Sequence, residues 1–166
     1  AGMTGWGKTN FCTVNLYNAN IQFDIDDVEY WLIDLKGGAG FGPFENAKLT
    51  RVFCDDIFVA EQVLLKLKQV VDERIKIRRE KRYTTQDFKP IFCVIDEFPD
   101  LIDFNKDAFA LLVYLARKAR AANVHIIITT QRASREYLPG ILKSNLAATM
   151  CFGCKTEFDS EVILGK

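Results

Sequence analysis

Residues 2–9 read Gly2-Met3-Thr4-Gly5-Trp6-Gly7-Lys8-Thr9, which fits G-x-x-x-x-G-K-[ST] at every fixed position. No other run constrains the fold as tightly. The glycines let the backbone curl so that N–H groups face phosphate oxygens. The helix that follows adds the positive end of its dipole. Lys8 is set to reach the β- and γ-phosphates of a nucleoside triphosphate, ATP foremost, and Thr9 to ligate Mg²⁺. The expected nucleotide-binding residues are Gly2, Met3, Thr4, Gly5, Trp6, Gly7, Lys8, Thr9 and Asn10. Such a loop ordinarily follows a buried strand, yet here it opens the chain. The expectation is therefore a single domain over 1–166, part of a longer protein, with its first strand outside these residues.

The rest of the chain alternates apolar strands with helices. A helix begins at residues 9–17 and is expected to be short, because Asn15, Asn18 and Asn20 favour turns. Strands are expected at 30–35, 51–54, 90–95, 125–130 and 148–152, and helices at 56–82, 108–122, 139–144 and 160–164. Gly37, Gly38, Gly40, Gly42 and Pro43 mark a loop. Nearly continuous apolar strands between helices specify an α/β fold with a mostly parallel sheet covered on both faces. Ligands of such sheets bind at the carboxyl ends of the strands.

Two further motifs fall at those ends. In Ile91-Phe92-Cys93-Val94-Ile95-Asp96-Glu97 an apolar strand ends in two acids. Asp96 is placed to hold Mg²⁺ through its water shell, and Glu97 to orient and polarise an attacking water. In His125-Ile126-Ile127-Ile128-Thr129-Thr130-Gln131-Arg132 another strand ends in polar groups. Gln131 is the first candidate for sensing the γ-phosphate and Thr130 the second. His125, at the start of that strand, reads as structural. Lys8, Glu97 and Gln131 form the candidate catalytic set, with Thr9 and Asp96 at the metal. Arg117 and Arg120, three apart on one helix, share a face. Either is a candidate arginine finger acting on a neighbouring subunit's nucleotide, and a solvated role stands beside it.

Other features carry less. The 22 basic and 22 acidic residues cancel, so a nucleic-acid surface has to come from local patches. No apolar run reaches the roughly 18 residues of a membrane span. Cys151-Phe152-Gly153-Cys154 has the spacing of half a zinc site but no second pair, so incidental thiols are the simpler reading. The basic run at 76–82 reads as a solvated helix end.

Taken together, these motifs resemble the motor domain of the FtsK/SpoIIIE family over almost the whole chain. The phosphate loop matches, with Trp6 where a small residue is common. Leu32-Ile33-Asp34-Leu35-Lys36-Gly37-Gly38 resembles the family's LIDPKGG-like segment, with leucine for proline. Val94-Ile95-Asp96-Glu97-Phe98-Pro99-Asp100-Leu101 resembles its acidic strand. Residues 115–125, running into Thr130-Gln131-Arg132, form the most specific piece, with Ala119 and Asn123 where the family has glycines. Residues 138–146, then Asp159-Ser160 and Ile163-Leu164-Gly165, resemble its closing segment. The resemblance implies a RecA-like P-loop core, ATP bound between subunits of a homo-oligomeric ring, usually a hexamer, and a motor that pumps double-stranded DNA. It implies work at the cytoplasmic face of a bacterial membrane through segments outside this chain. The short stretch between Gly38 and Asp96 suits conjugative or plasmid transfer better than chromosome partition. One branch of the family instead drives type VII protein secretion, and a nucleotide-binding assembly module that does not hydrolyse is the remaining alternative.

Overall fold

Strand alternation decides how the sheet is covered. In the computed structural model, which describes residues 1–165 except 4, 133 and 135, β1 (Glu29–Asp34), β2 (Thr50–Cys54), β3 (Ile91–Asp96) and β4 (Val124–Ile128) form one parallel sheet in the order β2-β1-β3-β4. Trp31, Ile33, Ile91, Cys93 and Ile95 face one side. There they join Leu64, Leu67, Leu101, Leu112 and Leu115 in the larger core. Leu32 and Val94 face the other side, against Cys12, Leu16, Phe41 and Phe44. Each fully buried leucine among these contributes about 1.5–3 kcal/mol.

Six helices dress the sheet among the described residues. They are α1 (Lys8–Gln22), α2 (Ile57–Lys81), α3 (Phe98–Phe104), α4 (Lys106–Lys118), α5 (Gly140–Lys143) and α6 (Glu157–Leu164). α2 starts at Asp56, whose side chain accepts from the Phe58 N–H, and stops at Arg82 in the left-handed region. Its buried residues Ala60, Val63, Leu64, Leu67 and Val71 recur at helical spacing. Lys76, Arg79, Glu80, Lys81 and Arg82 at the charged end are exposed, as expected, whereas two arginines of the helix turn inward. Arg74 donates to the Lys89 and Ala122 carbonyls, and Arg78 to Ala121. Both arginines thus satisfy backbone acceptors at the turn before β4. Asn123 in that turn has φ 54, a conformation asparagine tolerates better than most residues.

Two expectations need correction, and one further helix goes beyond them. α1 is 15 residues long, because Asn15 and Asn20 donate back to the Phe11 and Leu16 carbonyls while Cys12 and Leu16 are buried. Packing here overrides the turn preference of asparagine. Residues 98–104, which carry no strong helical period, form α3. Residues 148–152 form no strand in the structure; among the described residues their backbone bonds run to residues 1–3. The bonds run from the Ala1 amine to the Met150 carbonyl (2.7 Å), from Phe152 N–H to Ala1 (2.8 Å) and from Met3 N–H to Gly153 (2.9 Å). On the other side Gly2 N–H donates to the Thr130 carbonyl (3.1 Å). Residues 1–3 therefore lie between the end of β4 and residues 150–153.

Candidate functional site

The phosphate-loop residues lead into the N-terminus of α1. Gly5 and Gly7 have φ of 80 and 87, angles a side chain would strain. Gly7 caps α1 with no side-chain acceptor, and the first turn holds no acid. The first-turn N–H groups and the positive end of the dipole are therefore available to an anion. Gly5, Gly7, Lys8, Thr9, Asn10, Lys36 and Gln131 line a cleft of about 120 Å³. Lys8 is buried, and its ammonium donates to the carbonyls of Gly2 and Met3, the latter at 2.6 Å. Burial pulls its pKa below the ordinary lysine value, with nearby Glu97 acting the other way. Gly2 and Met3 form the root of the loop, their N–H groups engaged by Thr130 and Gly153. Trp6 is largely exposed, its ring lying over Gly153. Thr4 lies outside the described residues.

The acids of β3 are buried at the same edge. Asp96 is fully buried and Glu97 is 4% exposed. Thr129, at the end of β4, donates its hydroxyl to Asp96 and accepts the Glu97 N–H at 3.2 Å. Gln131 N–H reaches both Glu97 oxygens, at 3.0 and 3.1 Å, and the Thr130 hydroxyl lies 3.4 Å from one of them. Both γ-phosphate-sensing candidates therefore touch Glu97, Gln131 through its backbone. Glu97 holds φ 54, a strained angle for a side chain of its size, stabilised here by these bonds.

Lys36 completes the cluster, a role its local sequence does not show. Its ammonium sits 3.0 Å from Asp96 and 3.7 Å from Glu97. It is presented by a loop that Asp34 ties down. The buried Asp34 carboxylate accepts the N–H groups of Lys36 (3.2 Å), Gly40 (2.8 Å) and Phe41 (2.6 Å). Gly40 leans over the site: a Cβ there would lie 3.1 Å from Thr9, 3.4 Å from Asp34 and 3.5 Å from Asp96. The available signal was Asp34-Leu35-Lys36 at the end of an apolar strand, since β1 and β3 pair in register with Asp34 opposite Asp96. Lys36→Met leaves two buried carboxylates without their cation. Because Lys36 is itself partly exposed, we expect urea denaturation to show a loss of about 2 kcal/mol.

The remaining candidates lie elsewhere. Arg117 and Arg120 are exposed at the C-terminal end of α4 and the turn after it, which leads into the start of β4. They are thus at the edge of the sheet opposite the cleft. His125 stacks on Phe92 and lies 3.2 Å from the Asn123 side-chain oxygen, a structural position as expected. Thr9 and Asp96 offer a hydroxyl and a carboxylate oxygen, a donor set that suits Mg²⁺.

No protein-family model matches the chain. Over 75 residues, 45% of its length, it is 41% identical to the DNA translocase FtsK of Vibrio vulnificus and 40% identical to DNA translocase FtsK 2 of Neisseria meningitidis. It spans only 8% and 7% of those proteins. Among solved structures, EssC (ATPases 2 and 3) from Geobacillus thermodenitrificans superposes with a TM-score of 0.87 at 18% identity, covering 99% of this chain and 33% of that one. The pCW3 conjugation coupling protein TcpA, solved as a monomer with ATPγS, superposes with a TM-score of 0.83 at 24% identity, covering 99% and 51%. Over those 75 residues the chain is similar to FtsK DNA translocases, and over nearly its whole length it shares the fold of EssC and TcpA.

Proposed function

We propose that this chain is the ATP-hydrolysing core of a motor that moves double-stranded DNA. The observation that carries the reading is the meeting of two cations, Lys8 and Lys36, with two buried acids, Asp96 and Glu97, around one cleft at the carboxyl ends of parallel strands. Phosphate oxygens are stronger acceptors than the carbonyls that now hold Lys8, so a bound triphosphate draws the ammonium over. The α1 N-terminus adds N–H groups and dipole. Mg²⁺ held by Thr9 and Asp96 would neutralise charge between the β- and γ-phosphates. Glu97, fixed by Gln131 N–H and the Thr130 hydroxyl, orients and polarises the attacking water. Lys36 balances the acid pair while the site is open.

The likeness to DNA translocases supports a duplex-DNA substrate, gripped through its phosphates and so without sequence preference. In this reading identical subunits form a hexameric ring. Exposed Arg117 or Arg120 of one subunit reaches the nucleotide of the next, and segments outside this chain hold the motor at the cytoplasmic face of a membrane. Among the described residues no helix is long and apolar enough to cross one. Conjugative or plasmid transfer is the favoured process, with chromosome partition second.

The test is ATP turnover with and without duplex DNA. DNA should raise turnover in the native protein, and Lys8→Ala should bring it to background. Stimulation by a substrate peptide and not by DNA would reassign the motor to polypeptide export. Binding without turnover would leave an assembly module.

A further inference from the structure

The Cys151–Cys154 pair has no part in the chemistry above, yet its position relates it to the phosphate loop. The two sulfurs are 3.4 Å apart, and both side chains are half-buried. A disulfide needs them at about 2.05 Å, so they must close by little more than an ångström. The other three cysteines are buried. Burial raises the Cys54 thiol, and pushes Cys12 up to about 11 and Cys93 up to about 12. Exchange at those three is slow, because the thiolate is the reactive form. Among the described residues no group of three or more metal-ligating side chains exists.

The turn between these cysteines packs closely against the loop. Phe152 and Gly153 carry backbone bonds to Ala1 and Met3. A Cβ on Gly2 would lie 2.9 Å from that of Phe152, and one on Gly153 would lie 2.4 Å from the Trp6 ring. Phe152 also meets Phe11 of α1 edge-on, ring centroids 6.0 Å apart. Any contraction of the 151–154 turn is therefore passed to Gly2, Met3 and Trp6.

We propose that Cys151 and Cys154 are a reversible dithiol–disulfide site whose oxidation shifts the phosphate loop and weakens nucleotide binding. The oxidant class is a low-molecular-weight disulfide such as glutathione disulfide. One cysteine thiolate attacks it, forming a mixed disulfide and expelling one thiolate. The second cysteine's thiolate then attacks the first cysteine's Sγ in that mixed disulfide, forming the Cys151–Cys154 bond and expelling the remaining small thiolate. The two protein thiols are oxidised, the small disulfide is reduced to two thiols, and the cysteine protons pass through solvent to the leaving thiolates. Burial and the Cys151 contact raise the Cys154 thiol, so the exchange runs faster as pH rises. The effect on affinity rests on the nucleotide reading above; the disulfide itself does not.

The experiment equilibrates the purified protein in glutathione buffers and follows peptide mass, tryptophan emission and affinity for a fluorescent ATP analogue. The expected result has three parts. Two hydrogens are lost within the 151–154 peptide. Emission changes on oxidation in the native protein but not in Trp6→Phe, since the second tryptophan, Trp31, is buried in the core. Affinity falls about tenfold, in line with an ångström-scale misplacement, and a reductant restores it. Cys151→Ser, measured alongside, should bind like the reduced protein in both buffers. A disulfide forming elsewhere, none forming, or equal affinity and emission in both states overturns the proposal. If the reduced protein binds no nucleotide, the nucleotide reading fails and the affinity claim with it, while mass and Trp6 emission still decide whether the pair oxidises and moves the loop.

Discussion

Glu97→Gln should lower ATP turnover about 10³-fold while changing nucleotide affinity by no more than about threefold. Glutamine is nearly isosteric. Its side-chain oxygen still accepts the Gln131 N–H, so the turn at φ 54 stays supported. What disappears is the negative charge that polarises water. Single-turnover kinetics beside equilibrium binding separate the two effects. Equal losses in binding and turnover would show that Glu97 works by shaping the cleft. Turnover close to native would remove Glu97 from the chemistry altogether.

Asp34→Ala should be the most damaging change for stability near the site, about 3 kcal/mol. Asp34 is fully buried and accepts three backbone N–H groups. Removing it strands donors that water reaches poorly, the costly side of the hydrogen-bond balance. For a chain of this size the loss corresponds to a fall in Tm of about 6–12 °C. The same loop carries Lys36, so nucleotide turnover should fall even where the protein remains folded. Asp34→Asn should lie between the two, since its oxygen accepts but its amide group turns a donor toward other donors. A melting curve unchanged in Asp34→Ala would mean that the loop from Lys36 to Phe41 finds other acceptors.

Glu97 and Asp34 differ in how much of their surroundings a short stretch of sequence encodes. Glu97 was legible because the sign is local: an apolar run that must be buried, ending in acids, places charge at a strand end. The glycine loop was legible for the same reason, since Gly5 and Gly7 need angles that other residues resist. Asp34 and Lys36 carried an equally local pattern, but nothing near them in sequence names their partners. Lys36 meets Asp96 from 60 residues away, and Thr129 meets it from 33. Asparagine in α1 misled for the converse reason. A local preference was read where Leu16 and Cys12, buried against the sheet, hold the helix.

By itself, then, the sequence determined that a phosphate loop opens a helix, that apolar strands alternate with helices, and that polar residues stand at strand ends. Each follows from backbone angles and burial over a few residues. Tertiary structure decided which strand ends become neighbours. The order β2-β1-β3-β4 sets Asp34 opposite Asp96 and lays Thr129 and Gln131 across the acid pair. It also decided that residues 150–153 pair with residues 1–3 and bring two cysteines beside the loop. In parallel sheets the hydrogen-bonded neighbour arrives through a crossover, so pairing depends on how helices cover both faces. That choice is made by the packing of the whole core, which no short stretch of sequence contains.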